Sequence, residues 1–378
     1  MKEHRLDEYE IRNILEDKLS SDIDFNSGRI LSFMSSSPLD FAKRIFAENL
    51  ERNLGRPDAF AGSWELEQEL IMEIGDLLNN EHAAGIMTTG GTESNILGLE
   101  LMRNKTGKKE VIIPKTAHVS MLKACKLLGL KPVLIDVDEE FKADPYKMLE
   151  NINDNTAGIV ATAGTTYLGI VDPIEDIAKI AETYDLPLHV DAAFGGFVIP
   201  FLKELGYNVP NFDFIIERVT SITIDPHKMA LVPIPAGMFL TRNESLLEHI
   251  AFEIPYIQGK GSIQYGITGT RSAAPVIATW ATINYLGREG FRALIKDCMD
   301  KTKYLVEKIE QIENVDTVIE PQMNIVAIKT ENVDRTAKQL RDKGWVIAVS
   351  PFPKSLRIII MPHITYEDLD EFIKDLSE

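Results

Sequence analysis

An α/β chain is predicted, with a mostly parallel central sheet covered by helices and a smaller α/β domain at the C-terminus. Three observations predict it. From about Trp64 short apolar runs alternate with helical stretches, and those runs are apolar on both faces, as strands buried beneath helices are. The same alternation resumes on a smaller scale after a long helical stretch at 272–312.

Element by element, residues 1–20 set Leu6, Ile11, Ile14, Leu15 and Leu19 at roughly helical spacing among charges, which predicts an amphipathic helix. Segment 29–61 is mixed, with turn signals at Ser35-Ser36-Ser37-Pro38 and Gly55-Arg56-Pro57-Asp58, and reads as an arm able to reach another subunit. A helix is expected at 64–79 and another after Thr92, carrying Leu97, Leu99, Leu101 and Met102. Strands are expected at 110–113, 132–135, 158–162, 187–190, 221–224 and 237–240, with helices at 118–128, 145–151 and 173–184 between several of them. The helical stretch 272–312 breaks near 287–290. Strands at 324–329, 345–349 and 356–360, with helices at 332–342 and 366–377, make the smaller domain. The division is therefore 1–60 for the N-terminal arm, 61–285 for the large domain and 286–378 for the small one.

The 378 residues suffice for two or three units at roughly 150 residues each. Lys plus Arg is 40 and Asp plus Glu is 58, a net charge of −18, and no long basic run relieves it. Such a surface repels phosphate backbones and anionic lipid, so no nucleic-acid or membrane partner is expected. Two cysteines, Cys125 and Cys298, are too few for a disulfide framework and fit a reducing cytoplasm. The first twenty residues are densely charged and hold no secretory apolar stretch, and no run reaches the ~20 apolar residues of a membrane span. The histidines show no metal-ligand spacing, so no metal is expected.

Three motifs carry chemistry. Thr88-Thr89-Gly90-Gly91-Thr92-Glu93-Ser94-Asn95 puts a glycine pair and hydroxyls at the mouth of a helix, where backbone N–H groups and the helix dipole favour an anion. Gly91 and Thr92 are thus either a phosphate seat or an ordinary turn with an N-cap. His189-Val190-Asp191-Ala192-Ala193 ends an apolar strand in an acid, placed to hold a cationic ring nitrogen or to satisfy loop amides. Ser221-Ile222-Thr223-Ile224-Asp225-Pro226-His227-Lys228 runs from a strand into a turn that presents His227 and Lys228. A lysine among apolar neighbours is disfavoured as ammonium, and its free amine can attack a carbonyl; the alternative is a surface lysine. Together the motifs match the phosphate, pyridinium nitrogen and aldehyde of pyridoxal 5'-phosphate. Between them, His118 begins a helix and could stack on a flat cofactor, and Thr162 ends a strand near its substituents.

In this order Gly-Gly-Thr-Glu-Ser-Asn, Ala-His-Val-Ser, Ala-Thr-Ala-Gly-Thr-Thr, His-Val-Asp-Ala-Ala and Asp-Pro-His-Lys resemble the group II decarboxylases, pyridoxal phosphate enzymes of fold type I. Within that group Pro233-Ile234-Pro235-Ala236-Gly237, Gly269-Thr270-Arg271-Ser272 and Leu356-Arg357-Ile358 are most similar to the archaeal L-tyrosine/L-aspartate decarboxylases, over residues 29 to 378. The resemblance implies that Lys228 links to the cofactor aldehyde, that His227 contacts phosphate or the reacting centre, and that Asp191 pairs with the pyridine nitrogen. It implies Ala193 under the ring, His118 stacked on it and Thr162 near its hydroxyl. Gly91 and Thr92 would hold phosphate, with Thr270 contributed across a homodimer interface. Pro255-Tyr256-Ile257-Gln258-Gly259-Lys260-Gly261 looks like the mobile loop of related decarboxylases, with Tyr256 the proton donor and Tyr265 its competitor. Arg357 stands where the family keeps an arginine near the substrate carboxylate.

The expected reaction is L-tyrosine to tyramine, for methanofuran synthesis, with L-aspartate to β-alanine, for coenzyme A synthesis, close behind. Arg271, Lys260 and Phe60 are considered for the substrate slot, and Ser35 to Pro38 and Gly55 to Ala61 for substrate or interface contacts. The rival readings are a glutamate decarboxylase, a sphingosine-phosphate lyase-like carbon–carbon lyase, an aminotransferase and a phosphate-binding regulatory module.

Overall fold

The structure, a computed structural model, describes residues 4–257 and 259–378. Its main sheet comprises β1 (Ala84–Thr88), β2 (Glu110–Pro114), β3 (Lys131–Ile135), β4 (Thr156–Thr162), β5 (Leu188–Asp191), β6 (Val219–Ile224) and β7 (Gly237–Thr241), in the order β1-β7-β6-β5-β4-β2-β3. β2 to β6 pair in parallel, and β7 runs antiparallel to both its neighbours, β6 and β1. Every residue of β4, β5 and β7 is buried, which explains why these strands read as unbroken apolar runs.

β1 is the strand the apolar pattern misses, because Ala84 and Gly85 carry little side chain. Gly85 is there for space: a Cβ on it would stand 2.2 Å from the carbonyl oxygen of Phe239 on β7. A short hairpin of β8 (Phe252–Glu253) and β9 (Ile263–Gln264) follows the main sheet. The helix Ala274–Ile309 then leads to the small domain and kinks at Gly287, whose φ of 56° breaks the helical run where the sequence predicts a break. Beyond it β10 (Val315–Thr317), β11 (Ile325–Thr330), β12 (Ala348–Pro351) and β13 (Lys354–Ile359) form an antiparallel sheet in the order β10-β11-β13-β12. The helices Val333–Asp342 and Tyr366–Ser377 pack their buried residues, Leu340 and Phe372 among them, into its core.

The structure adds detail to two expectations about the N-terminal region. The amphipathic helix forms at Glu8–Leu19, capped by Asp7 and Glu10, but none of its residues is buried, and Ile11, Ile14, Leu15 and Leu19 lie exposed. Residues 1–3 of that expectation lie outside the described part. The segment 29–61, read as an arm able to reach another subunit, begins with residues 29–31 zipped onto the small domain of the same chain. Val346 donates its N–H to Arg29 O at 2.9 Å, Ile359 donates to Leu31 O at 2.7 Å, and Leu31 is buried in that domain's core. With Leu31 donating in turn to Val346 O at 3.3 Å, three backbone hydrogen bonds hold the segment, and Ser32 to Ser35 are carried up to the cleft. Both cysteines are free and buried, and burial pushes their thiols up to about 11 for Cys125 and about 12 for Cys298.

Candidate active site

β4, β5 and β6 all end on one side of the sheet, and there a cavity of about 540 Å³ opens, in the crevice where ligands of parallel sheets bind. It is lined by Gly91, Thr92, His118, Thr162, Asp191, Ala193, His227, Lys228 and Arg357, so residues far apart in sequence converge. Asn95, Asp225, Thr89, Gly164, Phe194 and the segment Ser32 to Ser35 line it too; the sequence reading assigned none of these a cofactor contact.

One end is a bare backbone turn. Gly90 has φ 148°, and the helix Gly91–Thr106 starts directly after it. Glu93 fixes the turn by accepting from the Thr89 N–H at 2.8 Å and its hydroxyl at 2.7 Å, and from the Ile267 N–H at 3.1 Å. The glycines leave room that side chains would fill: a Cβ on Gly90 would meet His227 at 3.0 Å, and one on Gly91 would meet Asp225 Oδ2 at 2.9 Å. Helix N–H groups and Thr92 thus face the cavity without side-chain cover.

Asp191, the last residue of β5, is buried. Its Oδ1 accepts from the Ala193 N–H at 3.1 Å and its Oδ2 from Asn95 Nδ2 at 2.8 Å. A carboxylate has about four acceptor positions, so each oxygen keeps capacity for a further donor from the cavity. His118 Nδ1 lies 2.9 Å from Ser120 Oγ, and burial lowers its ring below the ordinary histidine value. Thr162 is held through its backbone, which donates to the buried Asp172 at 2.7 Å, while its hydroxyl finds no partner in the protein. Burial pushes the Asp172 carboxyl up to about 6.

Lys228 differs from the sequence expectation of apolar neighbours: its Nζ sits 3.2 Å from Asp225 Oδ2. Asp225 is 2 % exposed and directs the same oxygen toward His227 Nε2 at 3.7 Å; its other oxygen has no protein partner. His227 accepts the Ala236 N–H on Nδ1 at 3.2 Å, which leaves its ring proton on Nε2, and burial lowers its pKa.

Arg357, on β13 of the small domain, reaches into the same cavity. Its guanidinium donates to Ser32 O at 2.7 Å and to Thr166 O at 3.3 Å, while its Nε is buried with no partner. No carboxylate ion-pairs with it among the described residues. A half-buried guanidinium with its Nε unpartnered, facing a cavity, is a ready site for an anion.

Tyr256 and Thr270 do not line this cavity. They share a separate surface cleft with Arg56 and Asp58, and Tyr256 is 84 % exposed. Tyr265 packs beside Ile86, Leu97 and Phe239 instead. Arg271 is held by Glu67, at 2.6 and 3.2 Å, and by Met87 O at 3.0 Å, so it anchors the loop carrying Thr270 rather than entering the substrate slot. Phe60 ends up at the start of the helix Ala61–Leu77, away from the cavity, and Gln258 and the side chain of Lys260 lie outside the described part.

Comparison with known proteins gives the family. The pyridoxal-dependent decarboxylase conserved domain matches residues 62–331. An L-aspartate/L-glutamate decarboxylase of Pyrococcus horikoshii is 44% identical over 367 residues, 97% of this chain and 95% of its own length. A probable L-tyrosine/L-aspartate decarboxylase of Methanothermobacter thermautotrophicus is 42% identical over 357 residues, 93% of this chain and 98% of its own. Among solved structures, the sphingosine-1-phosphate lyase of Burkholderia pseudomallei superposes with a TM-score of 0.92 at 25% identity, covering 100% of this chain and 91% of that one.

Pyridoxal phosphate fits what the cavity offers. The bare Gly90-Gly91-Thr92 turn suits its phosphate and the spare acceptor capacity of Asp191 suits a protonated ring nitrogen. The orphaned Thr162 hydroxyl suits a ring substituent and the Lys228 amine its aldehyde.

Proposed function

The chain belongs to the pyridoxal-dependent decarboxylases, carboxy-lyases with the fold type I architecture, and we infer from that premise and from Arg357 that it converts L-aspartate to β-alanine and CO2. When bound, pyridoxal phosphate supplies an aldehyde that takes the substrate amine and a cationic ring that accepts the electron pair left behind by CO2. Asp191 would hold the ring-nitrogen proton, because an adjacent anion favours the cationic form. Gly91 and Thr92 would hold its phosphate, Ala193 and His118 would pack against its ring, and Lys228, whose Nζ is ion-paired with Asp225 here, would be the amine that holds its aldehyde. His227, with its proton on Nε2, stands beside them.

The guanidinium of Arg357 carries the substrate assignment. A cation gripping the carboxylate that departs would stabilise the reactant more than the neutral product and slow the step. Arg357 therefore serves best on a carboxylate that stays, which aspartate has and tyrosine lacks. Replacing Arg357 by Gln is expected to raise the KM for L-aspartate about 100-fold, as loss of a charge-assisted pair does. Steady-state assay of CO2 release checks it, and an unchanged KM refutes the assignment. A second reading has its own support: Phe33, Met34 and Ile234 form an apolar wall at the same mouth, suited to the ring of L-tyrosine. Assaying both amino acids decides, with L-aspartate expected to lead by at least about tenfold in kcat/KM.

The reading includes a homodimer in the cytoplasm with shared sites. The uncovered apolar side of Glu8–Leu19, and the position of Thr270 and Tyr256 outside their own cavity, support completion of each site by the other subunit. Both cysteines are free, and no helix among the described residues is long and apolar enough to cross a membrane. Tyr256 is proposed as the donor returning a proton to the α-carbon in the partner's cavity. A heterodimer of one Lys228→Ala and one Tyr256→Phe subunit then keeps one whole site and about half of wild-type activity, although each parent homodimer is inactive. A heterodimer as inactive as its parents places Tyr256 in its own subunit's site or nowhere.

A further inference from the structure

The floor of the cavity holds a buried polar network that none of the roles above uses. Asn95, one turn into the helix Gly91–Thr106, is 1 % exposed and makes four hydrogen bonds. Its Nδ2 donates to Asp191 Oδ2 at 2.8 Å and to Ser120 Oγ at 2.8 Å; its Oδ1 accepts from Thr223 Oγ1 at 2.8 Å and from His189 Nε2 at 3.0 Å. That is the full capacity of a side-chain amide.

We propose that Asn95 is a positioning residue that divides the protons beneath the cofactor: it orients Asp191 as a pure acceptor and, through Ser120, fixes His118 as a neutral ring with its proton on Nε2. The proposal rests on the roles of Asp191 and His118 given above. Its logic starts from the amide's orientation. Turned over, Asn95 would set its oxygen against the Asp191 carboxylate, two acceptors with no proton between them, so the charge of Asp191 fixes which way the amide faces. Ser120 Oγ, accepting from Asn95, has its own proton free to donate to His118 Nδ1 at 2.9 Å, and the Ser120 N–H points at the same nitrogen at 3.3 Å. With two donors on Nδ1, the ring proton belongs on Nε2.

The far side of the amide is fixed as well. His189 donates Nε2–H to Asn95, and its Nδ1 accepts from Ser221 Oγ at 2.8 Å. Complete burial pushes His189 down to about 4, so it stays a neutral, single-tautomer donor. Gly98 leaves the room this ring occupies, since a Cβ there would stand 2.5 Å from His189 Nδ1. The benefit is electrostatic. A cationic His118 stacked on a cationic ring would repel it and would compete for Asp191, which attracts a proton to His118. The other charges bearing on His118 are Lys228, Asp225 and Arg357, from the two segments facing it.

Asn95→Asp is the informative test, because it keeps shape and the acceptor toward His189 and Thr223 while removing both donors. Cofactor affinity, measured by titrating pyridoxal phosphate into cofactor-free protein, is expected to fall at least about 30-fold. The kcat is expected to fall about 100-fold at neutral pH with KM within about threefold. Activity should recover on acidification, because two facing carboxylates raise each other's affinity for one shared proton, which restores a donor. Wild-type affinity and rate, or a uniform loss at every pH, overturns the proposal. If that variant does not fold, Ser120→Ala tests the other arm: losing a donor to Nδ1 should raise the titration of the His118 imidazole, followed by NMR, by about one pH unit. An unmoved titration overturns the His118 half. Asp191→Asn separates the layers. If it too is unaffected, the role of Asp191 has failed; if it is crippled while Asn95→Asp behaves as wild type, only the positioning role falls.

Discussion

Lys228→Ala is expected to abolish the violet absorbance of the lysine-bound cofactor and to lower kcat by on the order of 10⁴-fold or more, since the residue contributes the bond itself. The structure adds a complication that the sequence does not contain. Among the described residues Lys228 is the cation paired with Asp225 Oδ2, at 3.2 Å, with the His227 ring further off at 3.7 Å. Alanine leaves a buried carboxylate without its main partner, which costs roughly 3–5 kcal/mol in comparable pairs. Lys228→Arg is therefore the cleaner variant: the guanidinium keeps the charge beside Asp225 but cannot form the covalent link at working pH. The expected pattern is a melting temperature near wild type for Lys228→Arg, a lower one for Lys228→Ala, and no violet band in either. A coloured Lys228→Arg protein that still releases CO2 at the wild-type rate would remove Lys228 from the chemistry.

How much of this was legible beforehand depends on the kind of signal. β4, β5 and β6 announce themselves because strands buried on both faces read as continuous apolar runs, and their polar ends, Thr162, Asp191 and the Asp225–Lys228 turn, mark the side where the cavity opens. β1 was silent because its space is filled by the backbone of β7 rather than by its own side chains. Asn95 and Ser120 were overlooked for a different reason: each sits in a helix among apolar neighbours, and nothing in one chain's spacing says that two helices and two strands meet there. His189 offered the usable clue. A histidine between Leu188 and Val190 in a fully buried strand requires polar partners, and the search for them leads to Asn95 and Ser221. Tyr256 marks the limit, because nothing in its spacing tells that it lies in a separate surface cleft and not in this cavity.

Asp191→Asn is expected to lower kcat about a thousandfold, the top of the roughly 10- to 1000-fold range that follows when an adjacent anion moves a titrating nitrogen by roughly 1–3 pH units. Hydrogen-bond geometry is what carries the loss to the top of that range. Both oxygens of Asp191 receive donors, Ala193 N–H on one and Asn95 Nδ2 on the other, so an amide at 191 must turn its NH2 against one of them. If Asn95 turns over to relieve the clash, its NH2 faces Thr223 and His189, His189 must change tautomer against Ser221, and Ser120 must donate to Asn95 instead of His118. One substitution thus removes the anion and releases His118 together. Combining Asp191→Asn with Asn95→Asp separates the two effects, because the amide and carboxylate exchange places and become complementary again. The double variant should melt several degrees above Asn95→Asp alone, since about 1–3 kcal/mol of unsatisfied polar groups is regained, yet its kcat should stay as low as that of Asp191→Asn. Recovery of the rate in the double variant would mean that hydrogen-bond order, and not the anion at 191, sets the cofactor's reactivity.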